Sequence, residues 1–229
     1  MLRVALACQF WGEMPMKIDF DALLTPDQRD LMIRSIQRAD CAKGQIVHRH
    51  GDACVGVIRV RKGNLRFSVI SEEGREITLF QAEPGDCCIL SAACVLHSLD
   101  LESQVIAETA AVADILPAPV LAQLMAENKD LEREIFRKAT VQYALALRTM
   151  ERIVFFSLEK RLALFLKEES LRRSAMSFRV THEGIARCIG SSREVVTRML
   201  NQFAVRGIVS LGRGTVTVTD REALDRVLA

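Results

Sequence analysis

No stretch of the 229-residue chain approaches the roughly twenty apolar residues that a helix needs to cross a bilayer. The opening MLRVALACQF has a short apolar run with one arginine, but Trp11-Gly12-Glu13 interrupts it before it reaches signal-peptide length. A disulfide scaffold is equally unsupported, because seven cysteines are an odd count without the dense, even spacing of a secreted stapled domain. These absences point to a cytoplasmic protein with reduced thiols and no membrane partner. A net charge of +2 is too small to mark the whole chain as nucleic-acid-binding, so that role requires local clustering of cations. The four histidines (48, 50, 97 and 182) are poorly distributed for a metal triad, and no nucleophile elbow or phosphate loop occurs, so an enzyme is not expected.

What is present has ordinary globular composition, 49% hydrophobic and 26% charged. From Ile18 to Leu116 glycines recur at Gly44, Gly51-Asp52, Gly56, Gly63-Asn64, Gly74 and Gly85-Asp86. Between them lie short alternating or β-branched runs such as VGVIRV, LRFSVI and EITLF, the pattern of an all-β sandwich or barrel. A helix over 25–36 precedes it, with Thr25 as N-cap and Pro26 at the first helical position.

Beyond Pro119 glycine and proline nearly vanish and the period becomes helical. Leu131, Ile135, Lys138, Gln142, Ala146, Thr149 and Ile153 form one seam, and Phe136, Ala139, Tyr143, Leu147, Met150 and Val154 an adjacent stripe. Two stripes suit two neighbours, the chain's own domain and a second copy; the alternative, that both face a single-chain core, is kept open by Lys138 and Gln142 on the first seam. The first seam, with Leu131, Ile135, Gln142, Ala146 and Ile153, is assigned to the dimer. Ser157 caps a further amphipathic helix.

The cation cluster is C-terminal: Arg187, Arg193, Arg198, Arg206 and Arg213. Within residues 178–220, Thr181 caps a helix to about Cys188, Gly190-Ser191 makes a tight turn, and Ser192 caps a second helix with Val195, Val196, Met199, Leu200 and Phe203 inward. IVSL-GRG-TVTV then forms a hairpin wing that places Arg213 to meet a phosphate of double-stranded DNA. The outer face of the second helix carries Arg193, Glu194, Thr197 and Arg198. Arg198 can donate bidentately to guanine, Glu194 can accept from cytosine N4, and Thr197 can touch a thymine methyl or a phosphate. An i,i+4 ion pair between Glu194 and Arg198 is also expected.

The stretch SSREVVTRML and the order of elements resemble the Crp/Fnr family of bacterial transcription regulators. The resemblance implies an α+β chain: an N-terminal β-roll (jelly-roll) sensor domain over 17–125, a dimerisation helix over 126–155 and a C-terminal winged helix-turn-helix over 156–229. It further implies a homodimer reading a palindrome with TGA half-sites, Arg193 meeting a base or phosphate, and RNA polymerase as the partner that activation would require. A cupin-like metal enzyme on the same β-roll, or a DNA-binding dimer with a vestigial sensor, are the alternatives.

The signal is sought in GDCCILSAACVLHS, residues 85–98. No Arg or Lys occurs from Gly85 to Thr109, which argues against burying a cyclic-AMP phosphate. Cys8 is the sole cysteine before residue 41, too few for an N-terminal iron–sulfur cluster. Haem stays open, with Cys87, Cys88 or Cys94 and His97 as ligands, as does a thiol redox switch or another small-molecule effector. So does plain packing by small apolar residues. His48 and His50 alternate on a strand, but two ligands are insufficient for a metal site.

Overall fold

In the computed structural model the described residues are 16–49, 52, 55–71, 76–89 and 103–228. They form two compact units that divide between Leu147 and Arg148. Among the described residues no helix is long and apolar enough to cross a membrane.

The N-terminal unit begins with α1 (Phe20–Leu23) and α2 (Pro26–Ser35). Thr25 closes a capping box with Gln28 at the start of α2, and Pro26 occupies the first turn, where its missing N–H costs nothing. Eight strands follow: β1 (Gln37–Cys41), β2 (Ile46–Arg49), β3 (Val57–Lys62), β4 (Leu65–Ile70), β5 (Glu76–Ala82), β6 (Cys87–Cys88), β7 (Ser103–Ala107) and β8 (Ala111–Leu116). They build two four-stranded antiparallel sheets, ordered β1-β8-β3-β6 and β2-β7-β4-β5, the β-roll that was expected. Period-two alternation sorts β4: Phe67 stacks on Phe80 at 4.9 Å, while Arg66, on the other face, pairs with Glu76 and Glu108. Gly56 has φ +100°, and a Cβ there would lie 1.9 Å from the Leu116 carbonyl oxygen, so only glycine fits.

Helix α3 (Ala118–Glu127) stops at Asn128, and α4 (Lys129–Phe155) starts immediately after it. The Asn128 side chain accepts from the N–H groups of Asp130 and Leu131 at 3.1 and 3.0 Å, which begins the long helix at Lys129 rather than 126. Leu131, Ile135 and Ala139 pack into a core with Ile18, Phe20, Val57, Cys87, Ile89 and Leu121. Lys138, Gln142, Ala146 and Thr149 are buried too, and Ile153 is half-buried.

The chain itself covers the first stripe. Leu131, Ile135, Gln142 and Ala146, expected to face a partner, are covered within the chain. Phe136, Tyr143, Leu147, Met150 and Val154 of the adjacent stripe are exposed. The reason lies in a polar residue. Gln142, fully buried, donates from Nε2 to the Cys87 carbonyl (2.5 Å) and accepts at Oε1 from the Ile89 N–H (2.9 Å). It thus satisfies the edge of β6, the outermost strand of its sheet.

In the C-terminal unit, α5 (Leu158–Arg172) is capped by Ser157. Then come β9 (Ser177–Arg179), α6 (His182–Ile189), α7 (Arg193–Val205), β10 (Val209–Gly212), β11 (Thr215–Val218) and α8 (Arg221–Leu228). The wing has a third strand that the hairpin reading lacked, the sheet order being β10-β11-β9. The last turns of α4 belong to this unit. Arg152 clasps Glu168 of α5 with both terminal nitrogens, at 2.9 and 3.1 Å.

Candidate nucleic-acid interface and sensor segment

The helix-turn-helix forms because each local signal is satisfied. Thr181 Oγ1 accepts from the Gly184 N–H at 3.0 Å and starts α6, and Ser192 Oγ accepts from the Val195 N–H and starts α7. Between them Gly190 adopts φ +63°, the left-handed conformation that ends α6. A Cβ at this turn would meet Ile153 at 3.3 Å and Arg161 at 3.4 Å. Arg161 donates to the Ile189 carbonyl at 2.6 Å, satisfying a helix-end acceptor. Ile185, Ala186, Ile189, Val196, Met199, Leu200 and Phe203 share one core with Leu162 and Leu166 of α5 and with Val209, Val216 and Val218 of the wing. Val195, read as inward, is only half-buried.

This packing leaves Arg193, Glu194 and Arg198 exposed on the N-terminal turns of α7, with Ser192 exposed before them and Thr197 half-buried among them. Arg213 is exposed in the turn between β10 and β11. The expected Glu194–Arg198 ion pair does not occur among the described residues. The backbone N–H at Glu194, the Ser192 hydroxyl and the Arg193 charge instead hold its carboxyl below the usual range. The free N–H groups and dipole at the helix start win over a mobile arginine four residues on. Arg198 is consequently not held by Glu194.

Thr197 is more constrained. Its Oγ1 lies 2.8 Å from the Arg193 carbonyl and 2.7 Å from His182 Nδ1 of α6. Sequence reasoning also stopped short on this face. Asn201 and Gln202 join Glu194, Thr197 and Arg198 in lining an open groove of about 800 Å³, bounded by Glu159, Val205 and Arg206. Their three- and four-residue spacing from Arg198 was the available signal.

In the sensor segment, Cys87 and Cys88 form β6 and are buried. Burial pushes the Cys87 thiol up to about 12, even though strand pairing places Arg59 opposite it. Desolvation outweighs the cation, so the thiolate that a haem ligand or redox nucleophile needs is disfavoured at Cys87. Arg59 is a cation that a scan of residues 85–109 cannot find; it also stands opposite Asp114, whose carboxylate meets Arg38 and Arg61, and its own Nε is buried without a hydrogen-bond partner among the described residues. Among the described residues no group of His, Cys, Asp and Glu could hold a metal. Cys94, His97, His50 and Gly51 lie outside the described residues.

Two family models match the chain, a cyclic nucleotide-binding domain over residues 38–128 and a Crp-like helix-turn-helix domain over 160–227. A chain described as a transcriptional regulator of the Crp/Fnr family, from Eubacterium rectale, superposes with a TM-score of 0.83 at 33% identity, covering 92% of this chain and 98% of that one. The anaerobic regulatory protein of Haemophilus influenzae is 27% identical over 86% of this chain and 78% of its own length. The cyclic AMP receptor protein of Thermus thermophilus is 28% identical over 89% and 94%. With the β-roll, the long helix and the winged helix-turn-helix in one order, the chain belongs to the Crp/Fnr family of DNA-binding transcription regulators.

Proposed function

We propose that the chain acts as a homodimer that reads a palindrome with TGA-containing half-sites, under the control of a signal other than a cyclic nucleotide. The observation that carries the reading is the unencumbered face of α7, where Arg193, Glu194 and Arg198 stand exposed over the first turns. Those turns are the ones a recognition helix presents to base edges. Arg198 donates to guanine, Glu194 accepts from cytosine, Arg193 meets a base or phosphate, and Arg213 anchors the wing on the backbone. The exposed stripe of Phe136, Tyr143, Leu147, Met150 and Val154 supports pairing of two α4 helices.

A cyclic nucleotide fits poorly. Residues 85–109 contain no cation, and the β6 edge groups at Cys87 and Ile89 are already taken by Gln142. A buried cyclic phosphate would find no guanidinium within that segment. The two curated relatives differ in the signal their names declare, one anaerobic and one cyclic AMP, so the choice rests on these residues.

Selection from a pool of randomised duplexes tests the DNA reading. Wild type is expected to enrich a palindrome with TGA half-sites, and Arg198→Ala to bind it about tenfold or more weakly in a gel-shift titration. Equal affinity would remove Arg198 from guanine recognition.

A further inference from the structure

His182 opens α6 and reaches across to α7. Its Nδ1 and Thr197 Oγ1 are 2.7 Å apart, both side chains are half-buried, and the Thr181 cap fixes the turn that carries the imidazole. In a helix a threonine side chain divides between two rotamers. Here the Arg193 carbonyl at 2.8 Å and His182 together select one. Either the hydroxyl donates to Arg193 O and Nδ1–H donates to the hydroxyl oxygen, or the hydroxyl donates to an unprotonated Nδ1. In both arrangements the single hydroxyl hydrogen stays inside the protein. With the hydroxyl held, the methyl is the group left for Thr197, which lines the groove beside Glu194 and Arg198, to offer.

We propose that His182 is a positioning residue for base recognition: through Nδ1 it holds the Thr197 hydroxyl, so that Thr197 offers a methyl group and the half-site is restricted to thymine where that side chain meets it. The inference rests on α7 being the recognition helix. Without His182 the Arg193 carbonyl alone restrains the hydroxyl, which can then turn outward, donate to or accept from any base edge within reach, and so relax the preference. The sequence distance between His182 and Thr197 hides this contact, and neither residue type announces it alone.

Selection from randomised duplexes with a set of full-length variants separates the outcomes. His182→Ala should lose about fivefold or more of the discrimination at one base pair per half-site, the scale of a single mismatch, while other positions keep theirs. His182→Asn, which keeps a polar atom at the place of Nδ1, should retain it. Thr197→Val should select the same thymine as wild type. In the double variant His182→Ala/Thr197→Val the thymine should return, because valine has no hydroxyl to release. A merely structural role for His182 predicts no such rescue. Should His182→Ala fail to fold, Thr197→Ser remains informative, since it keeps the hydroxyl bond and loses the methyl, and thymine preference should disappear. Unchanged preference in His182→Ala or Thr197→Ser, or no recovery in the double variant, would overturn the assignment. An Arg198→Ala control that leaves every selected position unaltered would instead overturn the recognition-helix reading itself.

Discussion

Replacing Gln142 with methionine keeps the length of the side chain and removes both arms of its fork. The Cys87 carbonyl and the Ile89 N–H then lose their partners at a site where Cys87, Ile89 and Gln142 are all essentially inaccessible to water. An orphaned buried backbone group costs about 1–3 kcal/mol, so the pair costs about 2–6 kcal/mol, and the apolar replacement recovers about 1–2 kcal/mol by burial. The net loss of up to about 5 kcal/mol, about 2–3 kcal/mol at the middle of these ranges, is a large part of a domain's stability, typically ~5–15 kcal/mol. Hydrogen–deuterium exchange of the full-length protein reads it locally. Peptides spanning residues 85–89 should lose protection in Gln142→Met, while those from α6 and α7 exchange as in wild type. Unchanged exchange at Ile89, or a loss shared equally by the C-terminal unit, would refute the claim that Gln142 ties β6 to the long helix.

Two further outcomes follow from burial. Leu147→Glu places a charge on the exposed stripe of α4 and should shift the protein from dimer to monomer in sedimentation velocity, with Leu131 and Ile135 untouched in their own core; a dimer of unchanged affinity would remove that stripe from the interface. For Cys87, the unfolded thiol ionises near 9.0 while the folded thiol holds its proton to about 12, so the unfolded state binds fewer protons as pH rises between these values. Stability should therefore fall through that window and the decline should flatten in Cys87→Ala, as measured by urea unfolding at stepped pH.

The parts of this molecule that were readable in advance are those whose cause is local. Thr25, Ser157, Thr181 and Ser192 each cap a helix through an N–H three residues away, so the cap and the helix share one short stretch of chain. The burial of α4 was not readable in this way. Lys138 and Gln142 are polar residues on an apolar seam, and the β6 edge and the Glu134 carboxylate that meet them inside the fold come from spatial neighbours. Cross-strand neighbours were hidden for the same reason. Arg59 stands opposite Cys87 although many residues separate them, and its charge still loses to desolvation. On the outer face of α7, residue types and spacing pointed to Arg193, Glu194, Thr197 and Arg198 as candidates. The bonds that constrain Glu194 and Thr197 depended on the helix start and on α6, which a linear pattern does not contain.

The position of β8 in its sheet also sets an order of events during synthesis. It lies between β1 and β3, so the last strand of the roll to leave the ribosome is an interior one. Until Ala111–Leu116 emerge, β1 has no partner and one flank of β3 is open, an arrangement prone to pairing with other chains. Arrival of β8 closes both edges together, and α3 and α4 can then cover the sheet. In the C-terminal unit the β9–β11 pairing spans 36–40 residues against 70–78 for β1–β8, so its sheet closes over a shorter stretch of chain. Folding of the full protein should accordingly be paced by closure of the roll, at the slow end expected for non-local β pairing.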